Sequence, residues 1–163
     1  MTSILLRSDV AMVFQLGLAL ILGGALGIER IIAHKKAGLR TYAMVSLGAC
    51  LFIIISEAVG HRYLGLVAGF SPTLIASSII TGIGFLGAGL IFLKDEKAMG
   101  LTTAAGLWVT SGIGMAVGFK LYMLAFVSTV LSFFIFSILW YVEVAIKAFA
   151  QKRHWYEHEG MDN

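Results

Sequence analysis

The sequence predicts an all-α fold, a polytopic bundle of about five transmembrane helices. Of its 163 residues, 59% are hydrophobic and only 13% are charged, whereas about a quarter of the residues in a soluble domain carry charge. The mean hydropathy of +0.92 points the same way. Five apolar segments are each long enough to cross the ~30 Å hydrocarbon core of a bilayer. We therefore expect a multi-pass membrane protein whose main surroundings are the lipid bilayer.

The boundaries of the apolar segments define the predicted spans. They cover residues 10–28, 41–59, 73–93, 101–119 and 121–142, so a transmembrane domain occupies 1–142. Ser71-Pro72 marks the start of the third helix, because proline is favoured at the first helical position. In residues 143–163, apolar side chains recur at helical spacing with Lys147, Gln151 and Lys152 opposite them, which predicts a short amphipathic tail on the cytoplasmic surface.

The distribution of basic residues predicts the orientation of the bundle. Cytoplasmic loops carry an excess of Lys and Arg. If the N-terminus is outside, nine of the twelve Lys and Arg residues fall on the inner side, and Arg7, Arg62 and Lys120 remain outside. We therefore predict an outside N-terminus and a cytoplasmic C-terminus.

Glycines predict which helix surfaces touch. Within eight residues the third segment has four glycines, a composition that is unfavourable for a helix in water but lets helices approach closely in lipid. We expect this segment to be central, and Gly23 and Gly27 to form a second contact face on the first segment. The glycines predicted to pack in the third segment are Gly82, Gly84, Gly87 and Gly89. The fifth segment lacks glycine and carries bulky Phe134 and Phe136, so we expect it outermost, facing lipid.

Several function classes lack support. Gly82-x-Gly84-x-x-Gly87 matches the dinucleotide fingerprint in spacing, but that fingerprint requires a preceding strand and a soluble βαβ unit. No span carries His, Lys or Arg near its middle, which argues against a charged path through the core. Ser and Thr in the spans have no accompanying base for nucleophilic catalysis. We expect no enzymatic activity, no cofactor and no nucleic-acid partner.

Charged residues at the inner ends of the helices form a candidate polar cluster. Glu29 ends the first span and Arg40 begins the second, and each has the wrong sign for the dipole of its own helix. We expect the two to neutralise one another. Free N–H groups near Thr102 and Thr103 are a second candidate partner for Glu29. In the alternative interpretation, both charged side chains simply reach water.

A magnesium site is a further hypothesis at the same end. Glu29 and Asp95 could offer carboxylate ligands, and Mg²⁺ usually takes one or two carboxylates and keeps several waters. In the alternative interpretation, Asp95 and Glu96 lie in a solvated loop and are neutralised by Lys94 and Lys97.

Four motifs together resemble those of the MgtC/SapB family, in order and in spacing, over about residues 14–119. They are Gly27-Ile28-Glu29-Arg30, Ala37-Gly38-Leu39-Arg40-Thr41, Gly82-Ile83-Gly84-Phe85-Leu86-Gly87-Ala88-Gly89 and Gly100-Leu101-Thr102-Thr103-Ala104-Ala105 with Trp108. The resemblance implies a bacterial inner-membrane protein that supports growth at low Mg²⁺ and, in pathogens, survival inside macrophages. The polar motif positions of the family correspond to Glu29, Arg30, Arg40, Thr41, Thr102 and Thr103.

The resemblance also implies partners. Family members have been described as accessories of Mg²⁺ transport and as regulators of the F-type ATP synthase. Longer members add a cytoplasmic ACT-like domain after the last helix, which we do not expect in this chain. Our leading hypothesis is a regulatory protein that acts through helix contacts with itself, as a homo-oligomer, or with a membrane partner. The alternative is a small oligomeric transporter or channel for Mg²⁺ or another cation.

Overall fold

The structure is a computed structural model that describes residues 2–63, 72–94 and 96–159. Within these residues it contains five helices and one β-hairpin: α1 (Thr2–Ile32), α2 (Leu39–Tyr63), α3 (Pro72–Leu90), β1 (Phe92–Lys94), β2 (Lys97–Met99), α4 (Leu101–Gly118) and α5 (Tyr122–Glu159). Each helix contains a stretch long and apolar enough to cross a membrane. The predicted all-α membrane bundle is thus confirmed.

The third predicted span is too long at its C-terminal end. We predicted a helix through residue 93, but α3 ends at Leu90, and β1 pairs antiparallel with β2 to connect it to α4. Strand pairing satisfies backbone groups as a helix does, so an apolar run alone does not distinguish the two. Gly100 connects β2 to α4 and has φ of 89°. A side chain there would collide with the carbonyl group of Leu90, so glycine is required.

The first and last helices extend beyond the predicted spans. α1 begins at Thr2, upstream of the predicted start at residue 10. α5 runs without a break through residue 142 to Glu159, so most of the predicted tail is a continuation of the last helix. Residues 160–163 lie outside the described residues.

The central helix is α4, and the prediction that α3 is central is wrong for the single chain. In α4, 61% of the span is buried inside the protein, compared with 11% in α3. Glycines on α4 allow this burial. A Cβ atom at Gly114 would collide with the backbone of Ser46 on α2, and one at Gly118 would lie 2.7 Å from Cβ of Ile53.

The predicted packing glycines divide into two groups. On α1, a Cβ atom at Gly23 would lie 2.5 Å from Ser46 Cβ, and one at Gly27 would lie 2.5 Å from Leu39 Cα. The backbones of α1 and α2 therefore approach closely there. On α3, Gly87 meets Ala104 at an ordinary 3.5 Å. The remaining α3 glycines would place a Cβ with no described atom within 4 Å: Gly82, Gly84 and Gly89.

Two helices end in the same backbone motif without glycine. At the end of α1, His34 has φ of 54°, and the N–H of Lys35 donates to the carbonyl of Arg30 at 2.9 Å. This is the Schellman arrangement, which satisfies carbonyls at the end of a helix. α4 ends in the same way, with Lys120 at φ of 63°.

Gln15 completes the end of α4 from a neighbouring helix. Its side-chain amide, which is buried, donates to the carbonyls of Val117 at 3.0 Å and of Gly118 at 2.8 Å. Carbonyls in the last turn of a helix lack intrahelical donors, and lipid supplies none. Gln15 therefore ties α1 to α4 at the end of the bundle opposite the hairpin.

Candidate functional site

The two ends of the bundle differ in charge. At one end, the α1–α2 loop lies against the hairpin, with Lys36 Nζ 4.3 Å from the ring centroid of Phe92. At the other end, Lys120 Nζ lies 3.1 Å from a carboxylate oxygen of Glu57. We call the first end the basic end, because six basic residues lie there with only two described acidic residues: Arg30, Lys35, Lys36, Arg40, Lys94 and Lys97, with Glu29 and Glu96.

Arg30 is the buried charge at the basic end. Its side chain is 2% exposed and donates from Nε to the Glu29 carboxylate, which is 14% exposed. The guanidinium carbon lies 3.6 Å from the ring centroid of Phe136 on α5. An arginine in the last turn of a helix complements the helix dipole. Glu29 and the aromatic face supply further compensation for burying the charge.

Phe136 connects Arg30 to the core of the bundle. A Cβ atom at Gly106 of α4 would lie 2.8 Å from Phe136 Cζ and would collide with the Tyr42 hydroxyl of α2. Tyr42 is fully buried, and its hydroxyl donates a long hydrogen bond of 3.5 Å to the Thr103 carbonyl. The absence of a side chain at Gly106 therefore lets α4 pass between α2 and α5 and fixes the ring on which Arg30 lies.

A cleft of about 1100 Å³ opens beside Arg30 between α1, the start of α4 and α5. Its polar lining residues are Glu29, Arg30, His34, Lys35, Thr102, Ser137 and Tyr141. We call this space the basic cleft. It combines cationic side chains with a wall of apolar side chains, so it can accommodate an anionic or amphiphilic molecule.

The predicted pairing of Glu29 with Arg40 is wrong. Glu29 pairs with Arg30, its neighbour in sequence. Arg40 is exposed, and within the described part of the chain no ion pair involves it. For Arg40, the alternative interpretation, a side chain reaching water, agrees with the structure. Glu29 is compensated within its own helix, so pairing across the hairpin is not required.

The threonines of the predicted cluster fall in three different places. Thr102 lines the basic cleft together with Glu29 and Arg30. Thr103 is buried in the core and contributes its carbonyl to Tyr42. Thr41 lines a separate groove of about 600 Å³ between α2, α3 and α4. The structure thus brings together Glu29, Arg30 and Thr102 of the six predicted residues.

The magnesium hypothesis stays a prediction. Asp95 lies outside the described residues. Among the residues that are described, no three His, Cys, Asp or Glu side chains gather as metal ligands. The Glu29 carboxylate accepts the hydrogen bond from Arg30, so Mg²⁺ would have to compete with a buried cation for it.

Sequence reasoning missed three buried residues, Gln15, Tyr42 and Phe136. The sequence does contain a signal for Gln15. An amide inside an apolar span must form its hydrogen bonds within the protein, because lipid offers no partners. Tyr42 follows Arg40-Thr41, but nothing in the sequence distinguishes it from an interfacial tyrosine. Phe136 was expected to face lipid and is instead 9% exposed, under Arg30. Phe134 is 51% exposed, as predicted.

Fold and site together define a class, a polytopic helical membrane protein with a buried arginine–aromatic pair at its basic end. The family model described as "MgtC family" matches residues 16–145. The chain belongs to the MgtC family, which confirms the resemblance carried by the four motifs. No solved structure matches the chain.

Curated relatives match over most of this chain. It is 39% identical over 127 residues to the "Putative magnesium transporter YhiD" of Escherichia coli (strain K12), covering 77% of this chain and 59% of the relative. It is 44% identical over 113 residues to "Protein MgtC" of Brucella abortus (strain 2308), covering 69% of this chain and 44% of the relative. The chain thus spans about half the length of the curated relatives it matches.

Proposed function

We propose that this chain is a non-enzymatic protein of the bacterial inner membrane that supports Mg²⁺ homeostasis and growth at low Mg²⁺. It acts by contact of its helices with another membrane protein. Membership of the MgtC family and the magnesium-related name of a relative support the connection with Mg²⁺. The positive-inside rule supports a cytoplasmic basic end.

The observation that carries this proposal is the uncovered glycine face of α3. Gly82 and Gly89, which lie seven residues apart on one side of α3, meet no described atom within 4 Å, and Phe85 between them is 81% exposed. Glycine costs a helix roughly 1 kcal/mol relative to alanine. In membranes, small residues are enriched where helices touch one another, because they permit close approach of the backbones. The face therefore suits a partner helix from a second copy or from a protein such as the F-type ATP synthase.

The filled core of the single bundle supports regulation over conduction. Gly114 and Gly118 bring α4 into contact with α2, and Gly23 brings α1 into contact with α2. Arg30 is neutralised by Glu29 and covered by Phe136. The close contacts leave no room for a hydrated cation path between α1, α2 and α4.

A Mg²⁺ transporter is the second candidate, and the printed name of the Escherichia coli relative favours it. In this case the path would form between several copies, with α3 faces at the contacts. Contact through the α3 face is therefore common to both candidates, and ion movement distinguishes them. Purified protein reconstituted into vesicles that contain a Mg²⁺-sensitive dye should show no protein-dependent Mg²⁺ uptake. Uptake that scales with the amount of protein would favour the transporter.

The glycine face itself is tested by matched substitutions. We expect Gly89→Leu to fold in normal amounts, because no described atom occupies the space, but to fail in restoring growth at low Mg²⁺ to a strain lacking the protein. Gly17→Leu is the control, since Gly17 on α1 is equally open, and it should restore growth. Growth restored equally by both variants would remove the basis for the proposal.

A further inference from the structure

The polar end of the basic cleft is suited to an anion. Arg30, His34 and Lys35 line it, opposed by the Glu29 carboxylate. Thr102, in the first turn of α4, lines it as well. That turn has backbone N–H groups without intrahelical acceptors, and Gly100 provides no side-chain cap. The uncapped start of this 18-residue helix favours negative charge in the cleft. The cationic side chains favour it at the same place.

The remaining wall of the cleft is apolar and belongs mainly to α5. Phe133 and Phe136 are partly or fully buried, whereas Ile135 and Leu139 are about half exposed. Ile28 faces them from α1 and is 50% exposed. These side chains lie within helices long enough to span the membrane, so hydrocarbon reaches them. The cleft therefore continues from a charged end into the bilayer.

We propose that the basic cleft binds an anionic phospholipid. The headgroup phosphate lies among Lys35, His34 and Thr102, with Arg30 behind it, and an acyl chain follows the apolar wall of α5. A volume of about 1100 Å³ is larger than pockets for small molecules, which measure ~300–1,000 Å³. Basic pockets between transmembrane helices recognise anionic headgroups by charge. The proposal does not depend on the role in Mg²⁺ homeostasis.

Charge complementarity selects an anionic lipid over a neutral one. Arg30 is already paired with Glu29 through Nε, so Lys35 supplies the uncompensated charge at the mouth of the cleft. Each Lys near an anionic headgroup contributes about 1 kcal/mol. Reversal of this one charge should therefore weaken binding by about tenfold or more.

The test uses the purified 163-residue chain in neutral detergent. Binding of phosphatidylglycerol and of phosphatidylcholine is measured by native mass spectrometry across a lipid titration. Lys35→Glu is compared with Lys36→Glu, a matched control because Lys36 is next in sequence and carries the same charge but does not line the cleft. Ser137→Trp, which fills the cleft from α5, serves as a second variant if the loop substitutions alter folding.

We expect phosphatidylglycerol to bind in preference to phosphatidylcholine. Lys35→Glu should weaken this binding about tenfold, whereas Lys36→Glu should change it by no more than about twofold. Ser137→Trp should abolish it. Equal binding of the two lipids, or equal loss in both lysine variants, would overturn the proposal. Glycerol 3-phosphate is added as a competitor. Displacement of the lipid by glycerol 3-phosphate at similar concentrations would also overturn it, since the site would then recognise a free phosphate.

Discussion

The guanidinium carbon of Arg30 lies 3.6 Å from the centroid of the Phe136 ring, and this contact joins the end of α1 to the middle of α5. Both side chains are buried. The same ring lies against Gly106 of α4, whose missing side chain also accommodates Tyr42 of α2. Four helices therefore meet through one arginine, two aromatic rings and one glycine.

The first prediction concerns this ring. Phe136→Leu keeps apolar volume but removes the aromatic face under Arg30, so it should destabilise the protein by about 2 kcal/mol, the value for a desolvated cation–π contact. Thermal unfolding in detergent measures the loss. Phe134→Leu is the control, since Phe134 on the same helix is 51% exposed. Equal unfolding temperatures for the two variants would show that the contact contributes nothing.

The second prediction compares two glycines on the central helix. Gly114→Ala should prevent normal folding, because its Cβ would collide with the backbone carbonyl of Ser46. Gly112→Ala should fold and gain up to about 1 kcal/mol, since Gly112 has open space and alanine favours the helix. The measurement is the fraction of solubilised protein that elutes as a single species in size-exclusion chromatography. Similar profiles for both variants would contradict the close approach of α4 to α2.

Hydropathy predicted that five helices cross the membrane but not which one is central. In lipid, a helix surface is apolar whether it meets another helix or an acyl chain, so hydropathy carries no information about burial. Glycine content does not decide either, because α3 and α4 are both glycine-rich. Gly114 meets Ser46, while Gly84 meets no described atom within 4 Å. That difference depends on how the helices are arranged, which the sequence does not display locally.

The sequence predicted only part of the candidate site, again because contacts between helices leave no local pattern in the sequence. Glu29, Arg30 and Thr102 carry polar groups at helix ends, so the sequence identified them. The Glu29–Arg40 pairing followed from the helix dipoles alone and ignored the adjacent Arg30, because neighbouring residues on a helix normally point apart. Phe136 is far from Arg30 in sequence and appears as one more apolar residue of α5, so no local pattern indicated their contact.

The third prediction concerns Gln15. Gln15→Leu removes the side-chain donor of the Gly118 carbonyl and leaves the Val117 carbonyl with only the N–H of Lys120, which should cost about 1–3 kcal/mol in an apolar environment. Amide hydrogen exchange should accelerate in the last turn of α4 more than elsewhere. Val13→Leu, at a position that is 70% exposed on the same helix, should change neither quantity. Unaltered exchange in Gln15→Leu would mean that these hydrogen bonds do not hold the end of α4.

The fourth prediction tests orientation. In a Cys50→Ala background, Lys36→Cys places a thiol in the α1–α2 loop at the basic end, and Leu121→Cys places one in the α4–α5 turn at the other end. We expect an impermeant maleimide added to intact spheroplasts to label Leu121→Cys, whereas Lys36→Cys labels only after permeabilisation, because basic loops stay in the cytoplasm. The opposite pattern would invert the bundle, and labelling of both from outside would contradict the helix arrangement.

The fifth prediction resolves how Glu29 is compensated. Because Arg30 is 2% exposed and Glu29 is 14% exposed, removing either partner leaves a largely buried charge. Breaking such a pair costs on the order of 3–5 kcal/mol. Glu29→Gln and Arg30→Gln should therefore each lower the free energy of unfolding strongly. The double variant should lose much less than the two single losses combined, since it leaves no unpaired charge.

Arg40→Gln provides the contrast, because Arg40 is exposed and an exposed pair contributes below about 1 kcal/mol. In the Glu29→Gln, Arg40→Gln double variant, the loss in free energy of unfolding should equal the sum of the two single losses. In the Glu29→Gln, Arg30→Gln double variant, it should be smaller than the sum. Chemical unfolding of the purified variants in one detergent supplies all the required values. If Arg40 and not Arg30 is energetically coupled to Glu29, the carboxylate is compensated across the first hairpin. Arg30 would then depend on Phe136 and on the dipole of α1 to offset the cost of its burial.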